Sequence, residues 1–133
     1  MRTVAIFTLA AVLVLASGVE AGGNLDLTDF DDEVMRSMDD QVKSLDSDIA
    51  THNAGSAAAD AQSIEQGLKW AEGYFSKKGS VPDAVKLARQ AEDLAASLAR
   101  SAASSDFDGA LETYDTLVKT CRTCHDAYKP PDL

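Results

Sequence analysis

Beyond the first 21 residues the apolar positions recur at spacings of three and four, and no stretch alternates as a half-buried strand would. A first helix is predicted over residues 27–52. Its stripe is Phe30, Val34, Met38, Val42, Leu45 and Ile49, with Met35 at the edge. Asn53-Ala54-Gly55-Ser56 breaks the pattern. A second helix follows with Ser56 as its N-cap. It carries Ala57, Ala61, Ile64, Leu68, Ala71 and Phe75 on one face, with Trp70 and Tyr74 beside them. Lys77 and Lys78 suit its C-terminal dipole, and Gly79 stops it. A third helix starts near Pro82 with the stripe Ala84, Leu87, Ala91, Leu94 and Leu98, and fades at Ala102-Ala103-Ser104-Ser105. The fourth is predicted over residues 106–128, with Phe107, Leu111, Tyr114, Val118, Cys121, His125 and Tyr128 in line.

Four helices of about 20 to 25 residues, each roughly 30 to 38 Å long, are joined by short connections. Neighbours should then run antiparallel, and the expected fold is all-α: an antiparallel up-down-up-down four-helix bundle. The inner faces of the second and third helices are rich in alanine. Such faces either pack closely or leave room that a large apolar cofactor would fill.

The start of the chain reads differently. Arg2 supplies a positive charge, residues 4–16 are apolar except for Thr8, and Val19-Glu20-Ala21 offers small residues for cleavage. This is the pattern of a secretory signal over residues 1–21, which leaves 22–133 as one domain. The apolar run is short of the roughly 20 residues that span a bilayer, so no stable membrane anchor is expected after cleavage. The expected location is the periplasm. Net charge is −10, and losing Arg2 and Glu20 together leaves it unchanged. An acidic chain is repelled by nucleic acid, so no such partner is expected. A basic partner is favoured instead.

Both cysteines fall within Cys121-Arg122-Thr123-Cys124-His125. A disulfide between them would close almost no loop and add little stability. Cys-x-x-Cys-His is the attachment signature of c-type haem. Two thiols form thioethers with the porphyrin vinyl groups, and the adjoining imidazole reaches the iron. On a helix, positions 121, 124, 125 and 128 share one face. Cys121, Cys124 and His125 are therefore the candidate haem c-binding residues, with His125 an axial iron ligand. A thioredoxin-like pair would need a βαβ setting that is not predicted. A structural zinc site would need a fourth ligand, and His52 is the remaining histidine.

The segment Cys121-Arg122-Thr123-Cys124-His125-Asp126-Ala127-Tyr128-Lys129, at the end of the last helix, resembles the cytochrome c′ family, the class II c-type cytochromes. The resemblance covers the mature chain in architecture and is sharp in sequence from Tyr114 to Lys129. It implies a four-helix bundle with one haem on the last helix and a basic residue, here Lys129, near the proximal haem face. Some members leave the sixth iron site vacant and bind nitric oxide or carbon monoxide. In low-spin relatives a first-helix methionine ligates the iron and the protein transfers electrons. Val34-Met35-Arg36 resembles the Leu-Met-Lys segment of the latter. On that resemblance Met35 is the expected sixth ligand and Met38 the alternative, although Met38 on the main stripe also reads as a core filler. Trp70, Tyr74 and Tyr114 are candidates to touch the porphyrin.

The expectation is thus an exported electron carrier that cycles between Fe(II) and Fe(III), with redox proteins as partners and no turnover chemistry. By analogy with the family, a homodimer through the first two helices is a further expectation. A five-coordinate, gas-binding cytochrome c′ is the alternative.

Overall fold

The computed structural model describes residues 25–128. The expected signal segment and Lys129 lie outside them. The described chain is a four-helix bundle, α1 (Asp32–Ala50), α2 (Ala54–Lys78), α3 (Pro82–Ala103) and α4 (Phe107–Tyr128), with sequential neighbours packed together. No helix among the described residues is long and apolar enough to cross a membrane.

Caps place the helix ends. Asp31 accepts from the Glu33 amide at 3.0 Å, so α1 begins after Phe30 and not at Leu27 as the pattern suggested. The left-handed backbone of His52 (φ 58°) ends it. Asn53, not Ser56, caps α2, accepting from the Ser56 amide at 3.4 Å. At the other end Gly79 closes α2 in a left-handed turn with φ 69°, where a Cβ would be strained. Pro82 opens α3 as expected. Asp106 accepts from the Gly109 amide at 3.0 Å and starts α4.

The six predicted stripe residues of α2 are all buried. In α3 the predicted Ala84, Ala91 and Leu98 are buried, but Ala88, Ala95, Ala99 and Ala102 join them in the core where Leu87 and Leu94 are only half-buried. Small side chains let α3 lie close against α2, which displaces the larger ones to the flanks. The α4 stripe is also turned by about one residue. Ala110, Leu117 and Thr120 face the core, and Leu111 is 47% exposed. The Thr120 hydroxyl is satisfied by donating to the Thr116 carbonyl at 3.0 Å. Leu45, Ile64, Leu98 and Leu117 are the largest fully buried side chains. Each is worth about 1.5 to 3 kcal/mol of burial.

The pairing round the bundle is uneven. α2 lies along α3 and α3 along α4, but α1 and α4 barely touch. Tyr114 links them midway, its hydroxyl donating to the Val42 carbonyl at 3.3 Å. Toward the C-terminal end of α4 the two helices leave a gap.

Candidate functional site

The gap between α1 and α4 opens where α4 carries Cys121, Cys124 and His125. Two adjoining cavities of about 270 and 290 Å³ occupy it. Met35, Asp39, Phe75, Cys124 and His125 line both. Leu27, Phe30 and Tyr128 close the first, and Leu87, Ala88 and Ala91 floor the second. The walls are thus mainly apolar and aromatic. Charge enters at the margins, through Asp32, Arg36 and Asp39 of α1 and Arg122 of α4. A few polar groups around an apolar cleft is the usual form of a cofactor site.

The turn of α4 accounts for the gap. Val118 and His125 sit seven residues apart, on a line that drifts only slowly around a helix. Both face the opening instead of the core. His125 is exposed toward it. Cys121 and Cys124 are half-buried on the adjoining line, and Tyr128 extends that line. The four positions predicted to share a face do so. Burial pushes the Cys121 thiol up, and it pushes Cys124 to about 11 with a further contribution from Cys121. Both thiols therefore stay protonated near neutral pH, unlike an activated redox cysteine.

No protein-family model, curated protein or solved structure matches the chain. The site rests on its own residues.

Met35 and Met38 part company here. Met38 is 7% exposed and packs on α2 over Gly67, where its Sδ and Cγ fill the space that a Cβ would occupy. It belongs to the main core and only borders the second cavity. Met35 is half-buried, lines both cavities and packs against both apolar clusters. It stands across the gap from Cys124 and His125.

Several sequence expectations need correction. Trp70, Tyr74 and Tyr114 do not line the described cavities. Phe30, Phe75 and Tyr128 supply the aromatic wall instead. Trp70 is displaced to the surface, 37% exposed, behind Phe30. His52 cannot join the cysteines on a metal. It stacks on Phe107 with ring centroids 4.5 Å apart, at the start of α4. Phe107 and Cys121 are separated by about 21 Å at the helical rise. Among the described residues no cluster of three metal-ligating side chains forms. Phe30 was missed as a wall because the pattern placed it inside the first helix. Leu87, Ala88 and Ala91 were readable only as an alanine-rich face with space beside it.

Proposed function

We propose that this chain is an exported monohaem c-type cytochrome of the cytochrome c′ type, acting as an electron carrier. The observation that carries the reading is the juxtaposition across one apolar gap of Met35 on α1 with Cys124 and His125 on α4. The residues present fit a large flat apolar group. Aromatic and aliphatic side chains wall the space, the sequence pair of thiols borders it, and guanidinium groups stand at its edges. Bound haem would supply a one-electron Fe(II)/Fe(III) couple.

The chain's own residues divide the work. Cys121 and Cys124 would hold the group through two thioethers, each formed by adding a thiol across a vinyl group with nothing lost. His125 provides the imidazole ligand. Met35, across the gap, would supply a thioether ligand beside the imidazole of His125, and a histidine–methionine pair would raise the reduction potential and close the iron to gases. Leu27, Phe30 and Phe75 keep water from the site. We read the protein as a carrier without turnover. The signal-like residues 1–21 support export to the periplasm, where c-type haem is attached. Redox proteins, with basic docking faces, are the partners that the acidic charge favours.

The first test is a pyridine haemochrome assay on protein produced with haem-attachment machinery. A covalent haem band is expected, and its absence would end this reading. The spectrum of the reduced protein should be low-spin. A high-spin ferrous form that takes up carbon monoxide readily would transfer the assignment to the gas-binding type.

A further inference from the structure

The residues ahead of α1 cross the C-terminal end of α2. Leu25, Leu27 and Phe30 pack there with Ala71, Phe75, Val81 and Ala84. The Phe30 ring meets Trp70 and Tyr74 edge-on, with centroids 5.1 and 4.8 Å apart. The same Leu27 and Phe30 form the wall that faces Cys124 and His125. This segment has no helical ladder, so ordering its backbone is offset only by these side chains and a few polar bonds. Two of those bonds are internal: Thr28 donates to Asp26 at 2.7 Å through its hydroxyl, and the Phe30 amide donates to the Leu27 carbonyl at 2.9 Å. The tie to α2 is made at one carboxylate. Asp29 Oδ1 accepts from Tyr74 Oη at 2.6 Å and from Lys78 Nζ at 2.7 Å. Lys78 Nζ also stands 5.2 Å from the Tyr74 ring centroid.

We infer that residues 25–31 form a cap over the cavity and that Asp29 is the positioning residue that keeps Leu27 and Phe30 seated on it. The cap stands on the contacts above; only the identity of the group beneath it rests on the haem reading. A short irregular segment pinned at one point is where local opening is cheapest. Lifting it exposes the wall that bears Cys124 without unpacking the main core, which lies elsewhere among α1 to α4.

Hydrogen exchange on the full chain as isolated reads the cap with or without haem. Asp29→Ala should raise exchange of the Phe30 amide about five-fold, the scale of a lost, partly exposed charge-assisted bond. Amides within α3 should keep their rates, and Asp29→Glu should restore the cap to within about two-fold. Access is read separately. In a chain without haem, iodoacetamide should reach Cys124 about five-fold faster in Asp29→Ala, and trypsin cutting after Arg122 separates that thiol from Cys121. In a haem-carrying chain with Met35→Ala as background, adding Asp29→Ala should speed cyanide binding to ferric iron by a similar factor. Wild-type exchange in Asp29→Ala, a rise spread equally over all four helices, or a rise without faster access would each overturn the proposal. A negative haemochrome result with faster Cys124 alkylation would remove the haem reading and leave the cap standing.

Discussion

Met35 and Met38 lie one turn apart on α1, yet their surroundings give them different work. Met38 is held by Gly67 and the main core, whereas Met35 looks across the gap at Cys124 and His125. Met35→Ala should therefore convert a low-spin spectrum to high-spin with a small loss of stability. Met38→Ala should leave the spin state alone and cost about 2 to 5 kcal/mol, as buried methionine truncations do. Optical spectra and urea titrations of the two variants test both statements, and an unchanged spectrum in Met35→Ala would clear that residue of ligation. The carboxylate of Asp29 sets a second residue-scale outcome. Lys78 first and Tyr74 second, by hydrogen bonds, hold its pKa below 3.8. Its contribution is then present above that value and lost as pH falls through the lowered one. Lys78 is raised above 10.5 by bonding Asp29, and Tyr74 above 10.0, first by burial and then by Asp29. Their share is present below about pH 10 and is lost as pH climbs through the raised values. With Asp26, these are the ionisable groups around the tie. The cap should hold through the middle of the range, lift as pH falls below 3.8 through the lowered Asp29 value, and lift again as pH climbs past 10.5 through the raised Lys78 and Tyr74 values. In the haem-free chain Trp70 emission should shift at both ends, before helicity falls, and Asp29→Asn should abolish the acid limb.

At the scale of elements, what was legible depended on how symmetrically each helix is surrounded. α2 lies between two packed neighbours, and its spacing of three and four named all six buried residues. α4 has a full neighbour only in α3, so Val118 and His125 turn toward the gap and Leu111 to the surface, while Ala110, Leu117 and Thr120 take the core. Periodicity finds that a helix has an apolar side but not how far the side rotates when one neighbour is missing. The spacing of Cys121, Cys124 and His125 was legible as one helix face, and that face borders the gap. Phe30 was not, because the Glu33 amide donates to Asp31 and starts the helix after it, whereas the apolar pattern would carry the helix further back. The glycines of α2 give this packing a direct test. A Cβ at Gly73 meets open space, so Gly73→Ala should stabilise by about 0.5 to 1 kcal/mol through helix propensity. A Cβ at Gly67 meets the middle of the Met38 side chain. Overpacking there, about 1 to 3 kcal/mol, should exceed the propensity gain and make Gly67→Ala destabilising. Equal midpoints for the two variants in urea would show that α1 does not press on α2 at Met38.

Over the whole molecule, the charge is large and unevenly placed. Of the net −10, α1 carries Asp32, Glu33, Asp39, Asp40, Asp46 and Asp48 against Arg36 and Lys43. Asp32 and Asp39 border the cavities themselves. The exposed pair Lys43–Asp39 at 2.6 Å neutralises little of this field, because exposed pairs are screened and weak. On the electron-carrier proposal, a reagent that reaches the gap must approach through negative potential. Steering by such a field changes association rates more than affinities, and it fades once the Debye length shrinks to about 10 Å at 0.1 M salt. The haem-carrying protein should thus react faster with a cationic outer-sphere oxidant, such as a cobalt complex, than with an anionic one of matched driving force. Raising salt from about 0.01 to 0.5 M should slow the first, speed the second and bring the two rates together. Stopped-flow traces at several salt concentrations give both slopes. Replacing Asp32 and Asp39 with asparagine should flatten them more than neutralising Asp46 and Asp48 farther along α1. Equal flattening by the two pairs would place electron exchange somewhere other than the gap between α1 and α4.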